Sequence, residues 1–275
     1  VCDIDGNYSF TDLSGTPKLK AVMPYYNPTS EQEEAGVIVK EEGNYNITIA
    51  NDKFVLNFLN YAYDNLRHAS SYQIFGGGDV VADAPVVGKQ TQSVSLVYKK
   101  DSLGNKIFEN KNKGGEIMGI DPNVALLSYF YTEGGVRKVK YQQIFGSGNF
   151  SGNYANYSNS WDGTNDASWY KENYGVDADG FSPYTIKKST ITSVSSLSLS
   201  GDTYSFAITL SPTADSYSYY AKLMSKMCSA QTLKGFSSIT LSYTITRNGL
   251  LRTMKIVEKY TVNKGVDVPV EATIN

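Results

Sequence analysis

Two stretches of the chain repeat their apolar residues at helical spacing. Val55, Phe58, Leu59, Ala62 and Leu66 recur every third or fourth position behind Asn51 or Asp52, either of which can cap a helix. Tyr217, Tyr220, Ala221, Met224 and Cys228 form a similar stripe behind Thr213 or Asp215. Each predicted helix has one apolar face. A third, short helix is predicted from a cap at Thr164 or Asn165 to Gly175.

Most of the remaining pattern has period two. Ile239, Leu241, Tyr243 and Ile245 alternate with Thr240, Ser242, Thr244 and Thr246, and Met254, Ile256, Tyr260 and Val262 resume the alternation beyond Arg247-Asn248-Gly249. That tripeptide offers the positive φ angles of a tight turn, so the pair reads as a β-hairpin. Tyr204, Phe206, Ile208 and Leu210 give another strand, preceded by Ile191 to Leu199 and a Gly201-Asp202 turn. Val94, Leu96 and Tyr98 lead into a turn near Gly104, and Leu126–Tyr131 and Val136–Phe145 flank Glu133-Gly134-Gly135. The connections are mostly of hairpin length, which makes the strands antiparallel. Together these segments predict an α+β fold of about nine strands, with two helices packed on the sheet.

Residues 1–36 read as an extended N-terminal segment, and 37–275 as a single domain. Within it, 146–183 stands out as an insertion: Gly146 to Ser160 is almost wholly Gly, Ser, Asn and Tyr, and Trp161 and Trp169 follow. An ordered excursion of this length is commonly functional or a lid, and the plainer reading is a solvated loop held by its own rings. Tyr72-Gln73-Ile74-Phe75-Gly76-Gly77-Gly78 is echoed loosely at 141–148. The glycines are read as a bulge or turn, because the extended run Val80 to Pro85 that follows them lacks the helix that a phosphate loop requires.

Composition narrows the chemistry. Twenty-five basic residues against 27 acidic ones leave a charge of −2, without the positive field that nucleic acid demands. The 22 Tyr far outnumber the 2 Trp, and there is 1 His. Any Ser-His-Asp or Cys-His arrangement would have to pass through His68, which sits beside Arg67 at a predicted helix end, where a cation meets the helix dipole favourably. One His and two distant Cys have no zinc spacing. The Asp-Gly turns at 162–166 and 177–180 have oxygen ligands at calcium-like spacing, but no glutamate completes a loop. The expectation is a non-enzymatic protein without a cofactor, metal site or nucleic-acid partner.

Heavy use of Ser, Thr, Asn, Gly and Tyr, with no long charged helices, points to an extracytoplasmic protein, secreted or anchored at the cell surface. The one route to a membrane is a lipid on Cys2. That residue is equally open to a free thiol or a disulfide with Cys228, although a buried inert thiol is the plainer reading of Cys228.

Strands lie about 4.8 Å apart and a helix is about 10 Å wide, so two helices cover only about half of nine strands. The rest must be covered by curling, by the 146–183 insertion, or by a guest, since wet apolar surface costs about 25 cal/mol per Å². Phe58, Leu59, Tyr220, Met224 and Met227 are the candidates to face such a hollow, with Trp161 or Trp169 near its mouth. Packing as plain core between helix and sheet is the alternative for each.

The order of the Tyr204–Leu210 strand, the Thr213–Ala230 helix and the Phe236–Val262 hairpin, which ends Glu258-Lys259-Tyr260-Thr261-Val262, resembles the lipoprotein-localisation carriers and their mycobacterial lipoprotein relatives, the LolA/LppX-like half-barrels. The C-terminal stretch is also similar to extracytoplasmic lipoproteins of Gram-positive bacteria. The resemblance implies a strongly curved antiparallel sheet, a half-barrel with two helices on its concave face, whose hollow binds acyl chains. The function expected is binding of a lipid or other hydrophobic small molecule. The alternative is a surface module that grips a glycan or protein through Tyr154, Tyr157, Trp161 and Trp169, with neighbouring Asn and Asp meeting hydroxyls.

Overall fold

The computed structural model describes residues 51–114, 123–145, 161–227, 232–263 and 265–275, with Ser9 and two short strands, β1 (Lys18–Leu19) and β2 (Val37–Ile38), that pair with each other. The remaining elements in chain order are α1 (Asn51–His68), β3 (Tyr72–Ala84), β4 (Gly88–Lys100), β5 (Lys106–Gly114), β6 (Val124–Glu133), β7 (Val136–Phe145) and β8 (Gly163–Asp166). Then come α2 (Ala167–Tyr174), β9 (Ile191–Ser200), β10 (Thr203–Leu210), α3 (Ala214–Met227), β11 (Thr232–Thr246), β12 (Leu251–Asn263) and β13 (Asp267–Ile274). Expectations at Cys2, Tyr154, Tyr157, Cys228, the repeated glycines after Phe145 and most of 1–36 lie outside the described residues.

β3 to β13 form one antiparallel sheet of 11 strands in the order β8-β7-β6-β5-β4-β3-β13-β12-β11-β10-β9. Two meanders, β3–β8 and β9–β13, meet where β3 pairs with β13. The α+β class and antiparallel pairing are as expected. The strong curvature is not: the sheet is neither closed nor strongly curled, it has eleven strands rather than about nine, and the short helix expected before Gly175 joins the two longer ones beside it. The cover that curling would have supplied comes from chain that follows Trp161. Tyr170 of α2 is fully buried against β6, its hydroxyl 2.8 Å from Ser128 Oγ, and Phe181 and Tyr184 are buried as well.

Two of the strands depart from a plain strand signal, although β13 does alternate Val268, Val270, Ala272 and Ile274 on its buried face. β8 has only four residues, inside the insertion. β13 contains Pro269, which argues against a central strand. The register explains it: β3 pairs only with Val270–Ile274, so Pro269 faces β12 alone and no second ladder needs its missing N–H.

The glycine run is also resolved differently from expectation. Gly76, Gly77 and Gly78 are neither bulge nor turn, for β3 pairs with β4 without a break from Tyr72 to Ala84. Gly76 and Gly78 are small because the end of the chain, from Thr273 to Asn275, lies against them. A Cβ on Gly78 would lie 1.8 Å from the Thr273 carbonyl oxygen. The hairpin after Thr246 closes through Thr246 N–H to the Leu250 carbonyl, and only Gly249 in it has positive φ. Asn65 of α1 donates to the carbonyls of Asn248 and Gly249, tying that helix to the turn.

The five apolar positions read for α1 are those it buries. α3 is rotated from expectation. Ser216, Leu223 and Met227 are its buried residues, with Tyr217, Tyr220 and Met224 partly buried. The shift follows from α2, which packs beside α3 and gives it a second buried side. Gly175 sits at that crossing with φ 74°, closing α2 as expected, and a Cβ there would lie 1.8 Å from the Tyr219 carbonyl oxygen. Gly175→Ala is therefore expected to cost about 2 kcal/mol or more, through the left-handed backbone and the clash together. A lowered melting temperature in a calorimetric scan is the check.

The free edges of the sheet are both irregular. β8 is short, and β9 pairs with β10 through two register shifts, with Ser196 at φ 56°.

Candidate functional site

The face that carries the helices is lined by alternate residues of every strand, and at the centre of the sheet these are small. β3 offers Gly76, Gly78, Val80, Ala82 and Ala84 on that face, and β13 offers Val268, Val270 and Ala272. Short side chains leave a trough between sheet and helix. α3 spans it with Tyr220, Leu223, Met224 and Met227, leaving a cavity of about 90 Å³. Val94, Leu96, Ile256 and Val262 add aliphatic wall.

Glu258 interrupts this wall. It is only 1% exposed and stands on β12 between Ile256 and Tyr260 on the inward face. Its carboxylate accepts a hydrogen bond from the Tyr220 hydroxyl at 2.9 Å and another from the Tyr184 hydroxyl. Of the described residues that line the cavity, Glu258 alone is charged. Burial pushes its carboxyl up to about 7, against the opposing pull of the two tyrosine donors. Tyr184 rises well above the ordinary phenol range for the same reason, with the charge of Glu258 adding to it.

The polar groups at the far end are different. Glu258 pairs in register with Ala272, Ala272 with Val80, and Val80 with Gln92. Gln92 therefore lies in the same cross-strand row, about 14 Å away at ordinary strand spacing. On β5, Asn112 stands diagonal to it, opposite Val94, and Asn110 lies one inward position further along, opposite Leu96; both line the cavity. Gln92 is 9% exposed and Asn110 8%, and no side-chain hydrogen bond to either is seen among the described residues. The trough is thus an apolar channel with a carboxyl at one end and carboxamides at the other.

A second hollow of about 360 Å³ adjoins it, sharing Tyr98, Phe108, Pro183 and Leu223 as wall. Its rim is polar, with Arg67, Lys171, Asp177 and Asp179. These charges are largely matched. Asp177 pairs with Lys171 at 2.7 Å, and Asp179 pairs with Lys106 and with Arg137 at 3.6 Å.

Of the residues singled out in the sequence, Tyr220, Met224 and Met227 line the cavity. Phe58 and Leu59 do not. They are buried in core between α1 and the β9–β11 side of the sheet, where Phe58 meets Tyr204 edge-on at 5.1 Å. Trp161 stacks near Tyr129 and Trp169 near Tyr141, each with ring centroids 6.3 Å apart. Tyr129 pairs in register with Lys140, the neighbour of Tyr141, so the two tryptophans attend opposite faces of the sheet and share no platform. Neither lines the cavity.

His68 is exposed at the end of α1, its Nδ1 3.0 Å from the Asp64 carbonyl oxygen. Asp162 accepts from the Gln143 N–H at 2.7 Å, and Asp166 pairs with Lys138 at the same distance. Among the described residues no three His, Cys, Asp or Glu side chains gather as metal ligands, and no helix is long and apolar enough to cross a membrane.

Glu258 escaped the sequence reading, although a signal was there. The alternation Met254, Ile256, Tyr260, Val262 passes over position 258, and a charged residue at an inward position is the informative exception. Gln92, Asn110 and Asn112 share that signature on strands whose other inward positions are Val94, Leu96 and Phe108. No known protein family, curated protein or solved structure matches the chain.

Proposed function

We propose that this chain is a non-enzymatic binding protein for a small hydrophobic molecule, held between the central strands and α3. The observation that carries the reading is the cavity of about 90 Å³ that the small residues of β3 and β13 leave beneath α3. A cavity walled by aliphatic side chains gains when apolar surface replaces water, by about 0.8 kcal/mol per methylene buried. Met224 and Met227 suit a roof that must adapt to its guest, because an unbranched thioether repacks readily. The guest in this reading is a short alkyl chain or the end of a lipid, and the setting is extracytoplasmic, as the composition suggests.

A calorimetric titration with 1-hexanol tests it. The unmodified protein is expected to bind, and Ala82→Leu, which fills the trough from its floor, is expected to remain folded and to lose binding at least tenfold. No heat of binding from the unmodified protein, or equal binding by the filled variant, would overturn the assignment.

A further inference from the structure

Resting on that reading, we infer that the guest carries a basic amine, received by the carboxylate of Glu258 within the cradle of Tyr184 and Tyr220. Three observations lead there. Glu258 is the one charged side chain among the described residues of the wall, so none of them is a Lys or Arg that would neutralise it. A carboxylate has about four acceptor positions. The hydroxyls of Tyr220 and Tyr184 take one on each oxygen, which leaves acceptor capacity for a third donor. The carboxyl is also out of reach of bulk water, at 1% exposure, so the group that completes its shell must come from inside the trough.

The chemistry of the head group follows from charge. A fatty carboxylate would bring a second negative charge into a low-dielectric space with no cation to meet it, which is unfavourable. An alcohol supplies one donor and no charge. A primary alkylammonium supplies three donors and the opposite charge, and its chain lies along the aliphatic floor toward Gln92 and Asn110. The elevated carboxyl of Glu258 is the expected state of such a site when its cation is absent, since pairing with an ammonium would draw it back down.

Titration of the full chain at pH 8 with hexylamine, 1-hexanol and hexanoate is the test, run on the unmodified protein and on Glu258→Gln. The amine is expected to bind at least tenfold more tightly than the alcohol, and hexanoate more weakly than either. In Glu258→Gln the advantage of the amine should vanish while alcohol binding persists. Alcohol binding without any preference for the amine overturns this inference and leaves the apolar cavity as the guest's site. A preference that survives in Glu258→Gln also overturns it, by assigning the cation to another group. If neither alcohol nor amine binds, both readings fail. If the variant does not fold, the order of the three probes on the unmodified protein still tests the preference for a cation, and loss of that preference as pH falls from 8 to 5 and the carboxyl of Glu258 takes up its proton tests the group that receives it.

Discussion

Alanine at Gly78 is expected to destabilise the protein by about 3 kcal/mol, the upper end of ordinary overpacking costs. The reason is positional. Gly78 lies opposite Ile274 at the single ladder that joins the two meanders, and an added Cβ would fall 1.8 Å from one backbone oxygen and 2.8 Å from the Ile274 Cα. Neither atom belongs to a side chain that could swing away, so β13 itself must move. Gly77 provides the control. A Cβ there meets only the Val94 carbonyl oxygen, at 3.2 Å, and a small adjustment accommodates it. Urea unfolding should therefore separate Gly78→Ala from Gly77→Ala by well over 1 kcal/mol, with the larger loss at Gly78. Equal midpoints for the two variants would mean that β3 and β13 are not held this closely.

Glu258 should make the fold less stable as pH rises through neutrality. Its carboxyl is raised from 4.5 to about 7 in the folded protein, so between those values the folded chain keeps a proton that the unfolded chain has released. Stability from this group is complete below about pH 4.5 and is lost as pH rises through 7, by about 3 kcal/mol in total. The groups that face it are the hydroxyls of Tyr220 from α3 and Tyr184 from the preceding segment, with Tyr260 next along β12. Ile239 of β11 and Ala272 of β13 flank it without charge. Glu172 and Glu271 are held below the ordinary carboxylate range by hydrogen bonds from Lys222 and Lys259, and their contribution runs the opposite way, being lost on acidification. Glu258→Gln isolates the buried carboxyl from these. The stability difference between the variant and the unmodified protein should move in the variant's favour from pH 5 to pH 8. A difference that stays constant across that range would show that burial does not perturb this group.

The local elements were legible in the chain because they follow from periodicity. All five buried apolar residues of α1, the hairpin after Thr246 and the end of α2 at Gly175 were readable without coordinates. What could not be read is set by partners distant in sequence. β13 looks unlike a central strand until its register with β3 shows why Pro269 is tolerated. α3 turns a different face inward because α2, from the aromatic insertion, lies beside it. Strong curvature was implied by the resemblance to half-barrel carriers, whereas of the covers left open by the shortage of helices it is the insertion and the chain after it, residues 161–186, that lie on the sheet. In the site, Tyr220 and Met224 of α3 stood on the stripe read from the sequence, and Met227 was a candidate beside it. Glu258, Gln92 and Asn110 lay in the gaps of the stripes, and only the alignment of four strands puts Glu258 and Gln92 in one row at opposite ends of the trough, with Asn110 further along β5.

The ragged borders of the sheet bear on how this molecule coexists with its own copies. An open sheet of this width ends in two rows of unpaired backbone groups, which invite a stranger's strand and seed fibrous growth. Here one border is only four residues long, and the other is kinked where Ser196 turns left-handed and two registers slip. Among the described residues neither border offers a visiting strand a long, straight ladder, an arrangement that disfavours templated aggregation without a closed barrel.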